Sequence, residues 1–527
     1  MESSSAHQLL RAGSPLSGEV AKAGMDIVVN RQDPRYDALL RGHNLRFPEN
    51  AQLAPSRIAI CSTPEDVKQA LQSAVHNGLR PTVRSGGHCY ENFTANNPGG
   101  VLIDVSLLNT VGVDPATGEY CVAPGAVLGD VYQSLYKQYG LTLPAGSCYS
   151  VGAGGHISGG GYGLLSRLQG LSSDWLTAVD ILTVDAAGHV IERRIDRNSD
   201  PDLFRACCGA GGAGFGVITA FRFKQLPVAP REVIEVSMHF PWQTMTEDQF
   251  VSLLTTYGDY WVNRGRDKDT WGLFALLGVG PQRPNGYLGL HVQFCQPDGT
   301  VDDLSVLHEF LARFTPFHPF AMPSPWMRPR QSTAKSAASQ PYESVRMSWL
   351  ESAISDRGGG GGTRAKYKSA YMKRNFVSAE AHTIYRFYSS NSITAASSVI
   401  SIDSYGGAVN RPGLAASTAI AQRNSVMKLQ WQCYWRDPAE DEKHLRELDK
   451  FYTAIYSGRH VDAQHQGTPW GDAYEGCYMN YPDVDMLRYP YWPALYYGRD
   501  DLYDFLQKVK RKYDPNNIFH HAMSIRP

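Results

Sequence analysis

The 527-residue sequence has little net charge, no long apolar run and no repeated cysteine spacing. Net charge is −1, from 50 Lys and Arg against 51 Asp and Glu. The basic surface that nucleic acids or anionic membranes require is therefore missing. No apolar stretch approaches the roughly 20 residues that cross a bilayer. The first thirty residues lack the apolar core of a signal peptide. These absences predict a cytoplasmic protein with no nucleic-acid or membrane partner. Nine cysteines is an odd number, and Cys207 and Cys208 are adjacent, which is not a disulfide framework. No Gly-Lys-Ser/Thr occurs, and no dinucleotide fingerprint stands between a strand and a helix at the chain start.

Glycine and tyrosine are plentiful, at 50 and 29 residues. Most tyrosines are read as amphipathic packing. The glycines concentrate in three segments: Ser85-Gly86-Gly87-His88, the run Cys148–Gly163 with seven glycines, and Gly209–Gly216. Glycine lets backbone approach a ligand closely and turn its N–H groups onto an anion. Seven glycines in sixteen residues make poor helix and poor strand, so Cys148–Gly163 reads as backbone wrapped around something flat or anionic.

The chain divides by pattern. Residues 1–33 read as an irregular arm. Residues 34–225 alternate strands and helices: a strand at Ile58–Cys61, a helix opened by Thr63-Pro64-Glu65-Asp66, and a strand Pro81–Arg84 ending in the first glycine segment. Hairpins are expected at Thr110–Val122 and Ala178–Glu192. Past Pro227-Val228-Ala229-Pro230, up to residue 474, long amphipathic helices mix with strands, which suggests an antiparallel α+β unit. Gly358–Gly362 reads as a mobile loop, and Thr315–Arg330 is proline-rich. The basic segment Arg364–Lys368 reads as a solvated face. Residues 475–527 return to the style of the first domain and are expected to pack on it.

Three glycine segments in one α/β domain suggest a nucleotide with a pyrophosphate. His88 and Cys148 bring reactivity to loop ends. Zinc held by His88, Cys89, Cys148 and His156 matches no usual spacing. A Cys–His nucleophile pair lacks an identifiable third, orienting group. Both residues could also be satisfied core groups.

Taken together, Arg84-Ser85-Gly86-Gly87-His88 and, sixty residues on, Cys148-Tyr-Ser-Val-Gly-Ala-Gly-Gly-His resemble the berberine-bridge-enzyme-like flavin oxidases. Tyr478-Met-Asn480-Tyr481-Pro-Asp483 and Asp514-Pro515-Asn516-Asn517-Ile518-Phe519 resemble the family's C-terminal motifs. The resemblance covers nearly the whole chain and is strongest to antibiotic-tailoring members. It implies an α+β, two-domain vanillyl-alcohol-oxidase (PCMH-type) FAD-binding fold, with a helix-covered antiparallel sheet as substrate domain. It implies FAD attached twice, at His88 through the 8α-methyl carbon and at Cys148 through flavin carbon 6. The cofactor set it carries over is Arg84, Ser85, Gly86, Gly87, Val151, Gly154, Gly155, Gly159, Gly160, Gly216, Val217, Tyr478, Asn480 and Asn517. No metal is implied.

The resemblance also implies alcohol oxidation by hydride transfer to flavin N5, with Tyr481 as the base. Free tyrosine has a pKa of about 10, so a base working near neutral pH calls for a nearby cation. Lys428 fills that role, and Gln430 shares its strand face. Tyr162 and Tyr90 complete the polar set. Tyr434 and Trp431 are read chiefly as packing. Val151 is the position that in relatives gates O2, where valine accompanies oxidases. The implied partners are O2 and a small molecule or glycosylated natural product. A cyclase or dehydrogenase of a non-sugar metabolite is the alternative. Two positions depart from the family: Gly214, where asparagine is usual, and Tyr149 after the cysteine. His156 is left with packing or a cofactor hydrogen bond.

Overall fold

The computed structural model of the protein describes residues 27–211, 214–322, 341–355 and 362–527. The first 26 residues of the arm lie outside these. So do Gly212 and Ala213, the proline-rich stretch beyond residue 322, and the five-glycine run except Gly362. Among the described residues the strands form three sheets. The first contains β1 (Ile27–Asn30), β2 (Arg57–Ile60), β3 (Pro81–Arg84) and β4 (Val101–Asp104), in the order β1-β2-β4-β3. Strands β2, β3 and β4 run parallel, and β1 pairs antiparallel to β2. Residues 27–30, read from sequence as part of an irregular arm, are thus an ordered edge strand.

Between β2 and β3 runs the helix Pro64–His76. Thr63 caps it, accepting from the Asp66 N–H while Asp66 reaches back to the Thr63 N–H. Such a cap stabilises the helix by about 1 kcal/mol. Val67, Ala70, Leu71 and Ala74, spaced at helical period, bury against Val101, Ile103, Val184 and Val190. Parallel strands need this kind of crossover, and it leaves the end of β3 free to run into the first glycine segment.

The second sheet contains β5 (Val111–Val113), β6 (Tyr120–Val122), β7 (Ala178–Val184), β8 (Val190–Asp196) and β9 (Val217–Phe223), in the order β5-β6-β9-β7-β8. Its two hairpins lie where turn chemistry placed them.

The third sheet is antiparallel and seven-stranded. Its members are β10 (Glu232–Pro241), β11 (Leu273–Val279), β12 (Tyr287–Phe294), β13 (Glu343–Ser348), β14 (Arg364–Met372), β15 (Ser398–Ser404) and β16 (Met427–Trp435). The order is β13-β10-β12-β11-β15-β16-β14. The helices Glu247–Arg264, Ser378–Tyr388 and Asp441–Ile455 supply Phe250, Tyr257, Trp261, Tyr388 and Phe451 to the core on one face. On β16, Leu429, Trp431 and Cys433 point into that core, and the Trp431 ring meets Tyr452 and Tyr456 edge-on. The alternate residues Lys428, Gln430, Gln432 and Tyr434 line a cavity on the opposite face. The period of two along β16 therefore sorts packing from site residues.

The basic segment Arg364–Lys368 is not a solvated face. It forms the start of β14, and Lys366 and Lys368 are 1% and 0% exposed. Alternating charge made the segment look exposed; four carboxylates converging from three distant parts of the chain keep it buried.

In the last fifty residues, the helix Leu502–Tyr513 packs on the helix Pro201–Cys207. Tyr513 Oη donates to Asp200 and Asp202, both at 2.8 Å. Phe519 enters the core of the first parallel sheet.

Candidate active site

A cavity of about 460 Å³ runs between the glycine segments and the third sheet. It begins where two loops touch. A Cβ on Gly86 would lie 2.4 Å from the Gly152 nitrogen, and one on Gly152 would lie 2.3 Å from the Gly86 nitrogen. Backbone-to-backbone contact of this kind admits only glycine on either side. It brings His88 and Cys148, sixty residues apart, to the wall of one cavity. His88 Nε2 lies 3.0 Å from Ser150 Oγ, and its ring stacks on His43 at 3.6 Å. Burial, reinforced by His43, lowers the His88 pKa to about 3. The imidazole is therefore neutral at physiological pH, with a lone pair for bond formation.

The run Cys148–Gly163 is not wholly irregular. Ala153–Ser158 forms a short helix whose glycines face the cavity. His156 ties it at both ends: Nε2 accepts from the Gly146 N–H at 2.9 Å, and its carbonyl accepts from Asn480 Nδ2 at 3.0 Å. Burial, and then the Lys428 charge, lower its pKa to about 4. Tyr149 leaves the cavity and donates to Asp130 at 2.6 Å, lying over Gly129, where a Cβ would meet its ring at 2.1 Å.

The far end of the cavity is built from side chains. Lys428 Nζ donates to Tyr481 Oη at 3.2 Å and pairs with Asp403 at 2.7 Å. It also sits 4.5 Å from the Tyr481 ring centre, 4.7 Å from that of Tyr162 and 5.7 Å from that of Tyr478. Gln430 donates to Tyr90 Oη at 2.9 Å, and Tyr90 stacks on Tyr367 at 3.6 Å. Next along β16, Tyr434 donates to Gln432 at 2.7 Å, and Gln432 to Ser401 at 2.9 Å.

Two sequence expectations meet their surroundings here. Burial pushes the Tyr481 pKa well above the ordinary value, and the Asp403 carboxylate adds to the rise, opposite in direction to the acidification expected of a base. The expected cation is present, but it is shared with that carboxylate. The Tyr162 hydroxyl, expected to face the substrate, donates to the Ser404 carbonyl and keeps its lone pairs as acceptors, while its ring face lies against Lys428.

Of the cofactor set, Arg84, Ser85, Gly86, Gly87, Val151, Gly154, Gly155, Gly216, Val217, Tyr478 and Asn480 line the cavity with His88 and Cys148. The Arg84 guanidinium is held by Asp104 and the Leu40 carbonyl. Three residues fall outside the lining. Gly159 packs on Asn480, where a Cβ would lie 2.0 Å from Oδ1; Gly160 faces Ile420; Asn517 shapes a turn with φ 49°. Gly214 has φ +133°, which disfavours the asparagine usual in the family, and Lys510 holds its carbonyl at 2.7 Å.

Sequence reasoning missed Asp403, Tyr367, Gln432, Ser401 and the tail residues Phe519 to His521, all of which line the cavity. Asp403 stands opposite Lys428 across β15 and β16. An acid on one strand and a base on another signal a pair only once the register is known.

A flavin fits this cavity. The wall at the loop end is glycine backbone, a Cβ on Gly155 would meet nothing within 4 Å, and a neutral imidazole and a thiol flank it. Residues 55–193 match the family model described as FAD binding domain, and 477–526 match the one described as berberine and berberine like. The chain is 32% identical to aclacinomycin-N/aclacinomycin-A oxidase of Streptomyces galilaeus, over 95% of this chain and 90% of that protein. It is also 32% identical to hexose oxidase of Chondrus crispus, over 94% of each. The crystal structure of a glycopeptide hexose oxidase complexed with teicoplanin superposes with a TM-score of 0.82 at 32% identity, over 96% of this chain and 99% of that one. With cavity, fold and full-length identity in agreement, this chain belongs to the berberine-bridge-enzyme-like family and is an FAD-linked oxidase of the vanillyl-alcohol-oxidase fold.

Proposed function

We propose that the protein oxidises an alcohol on a sugar of a glycosylated natural product, with FAD attached at both His88 and Cys148 and O2 as electron acceptor. The observation that carries this reading is the convergence on one cavity of His88, Cys148 and the Tyr481–Lys428 contact of 3.2 Å. The names of the relatives, an aclacinomycin oxidase and two hexose oxidases, support a sugar-bearing substrate.

Ser85 to His88, Gly154, Gly155, Val217 and Phe519 would hold the cofactor. When bound, the flavin supplies the acceptor for hydride and passes the electron pair to O2, giving hydrogen peroxide. The chain supplies the rest. Gln432, Ser401 and Tyr434 form an uncharged hydrogen-bonding wall suited to hydroxyl groups, and Tyr367 gives an aromatic face beside them. Tyr481 takes the alcohol proton. Lys428 offsets the negative charge on its oxygen in the ionised form, and Asp403 fixes Lys428 on the cavity side. Val151, a small side chain on the cavity wall, leaves room for O2.

Two assays test this. Purified protein should release peroxide with hexoses, oligosaccharides or glycosylated aglycones; turnover confined to non-sugar substrates would replace the reading with a cyclase or dehydrogenase. On a denaturing gel the flavin should remain with the protein in His88→Ala and in Cys148→Ala, and leave only in the double variant. Loss of all flavin from the denatured wild type would exclude covalent attachment.

A further inference from the structure

Strand β14 is an edge strand whose two faces serve different groups. On the cavity face, Tyr367 stacks on Tyr90. On the reverse face, Lys366 and Lys368 form a buried ionic cluster. Lys366 Nζ lies 2.6 Å from Glu91, 2.7 Å from Asp483 and 3.4 Å from Asp485. Lys368 Nζ lies 2.8 Å from Asp483, 2.7 Å from Asp485 and 3.0 Å from Asp449. Arg488 closes the outer end on Asp449 at 2.7 Å.

The carboxylates come from three separate parts of the chain. Glu91 follows Tyr90, Asp483 is two residues after Tyr481, and Asp449 lies on the helix Asp441–Ile455. Each of the two cavity tyrosines is thus followed, within two residues, by a carboxylate gripping the reverse of the same strand. The chain folds around the edge of β14 like a clamp, tyrosine on one side and carboxylate on the other. Further bonds tighten it: the Asp483 N–H donates to Tyr496 Oη at 3.0 Å, and the Tyr478 N–H to Ser369 Oγ at 3.0 Å.

We infer that Lys366, Lys368, Glu91 and Asp483 are positioning residues that fix the Tyr481 and Tyr90 side chains relative to Lys428 and Gln430. A buried ion cluster of this size is a costly way to gain stability, because desolvation offsets much of the attraction. What it provides is geometry, since six charged contacts of 2.6–3.4 Å tie three separate chain segments to one strand. The Lys428–Tyr481 contact needs that geometry, because Lys428 comes from β16 and Tyr481 from a loop outside the sheet. This inference rests on the reading of Tyr481 as proton acceptor only for its kinetic part.

The test uses the holoenzyme with 3-fluorotyrosine at position 481, read by fluorine NMR without substrate. The wild-type cluster should give one narrow resonance. Glu91→Gln, which keeps shape and removes charge, should give a shifted resonance or a second one. Should Glu91→Gln fail to fold, Asp485→Asn, at the more exposed end of the cluster, reads the same property. In kinetics, Glu91→Gln should lower kcat about tenfold with KM little changed, yet by less than about twofold in a Tyr481→Phe background. A resonance identical to wild type in the variants, or kcat losses that multiply in the double variant, would overturn the inference. Full activity in Tyr481→Phe would instead overturn the base assignment and leave the fluorine result to judge the clamp.

Discussion

Two buried lysines, on neighbouring strands and opposite faces of the third sheet, show how one residue type can serve chemistry or architecture. Lys368 on β14 faces three carboxylates and one aromatic ring, Tyr452. Its pKa rises through the three carboxylates, which outweigh burial. Its charge is fully committed. Lys428 on β16 faces one carboxylate, Asp403, and three tyrosine rings. Ring faces attract a cation without neutralising it. Part of the field of Lys428 therefore remains for the Tyr481 oxygen. Burial alone does not mark a lysine as functional; the composition of its neighbours does.

The largest effect expected from breaking this contrast comes at Tyr481. Tyr481→Phe should lower the rate of anaerobic flavin reduction, followed by stopped flow, by about 10²- to 10⁴-fold, the range for loss of a general base. Lys428→Met should lower it by about 10²-fold and reduce thermal stability, because Asp403 would be left buried without its partner. A Lys428 variant with the wild-type rate would make the two lysines equivalent and erase the comparison.

The pH profile sharpens it. Because Tyr481 titrates well above its ordinary value, only a small fraction is ionised near neutrality. While proton removal limits the rate, kcat/KM should climb about tenfold per pH unit through the alkaline range. A plateau below pH 8 would show that Lys428 acidifies Tyr481 after all.

A smaller effect concerns stability in acid. His156 has a folded pKa near 4, below its unfolded value of 6.5. Below pH 6.5 the unfolded chain binds a proton that the folded chain refuses, so stability falls as pH drops from 6.5 towards 4. His521, lowered to about 3, acts in the same direction. His156→Gln should flatten the acid limb of a melting-temperature profile without abolishing it. The smallest effect is at Gly214, where Gly214→Ala should cost about 1–3 kcal/mol in denaturant unfolding because φ is +133°.

The first wall of the cavity was legible in the sequence and the second only partly. Glycine leaves a visible mark: where backbone meets backbone, as at Gly86 and Gly152, no other residue serves, so the loops announce themselves. Strand β16 was also legible, because Lys428, Gln430 and Tyr434 alternate with Leu429, Trp431 and Cys433. Strand β14 was not. Its lysines alternate with Ala365 and Tyr367 in a pattern that fits an exposed strand equally well. Asp403 was invisible for a different reason, since it belongs to the site only through its pairing register with Lys428.

The sequence by itself determined the order of the elements, the glycine cradle with His88 and Cys148 at its ends, and membership of a flavin family. Local rules decide these: helix caps, turn residues and steric exclusion act within a few residues. The tertiary structure decided which charges are neutralised and which remain active. It placed Asp403 on Lys428, turned the Tyr162 hydroxyl onto Ser404, raised rather than lowered the Tyr481 pKa, and buried Lys366 and Lys368 in a clamp. Electrostatics at a buried site depends on distances between groups tens to hundreds of residues apart in sequence, and those distances exist only once the chain has folded.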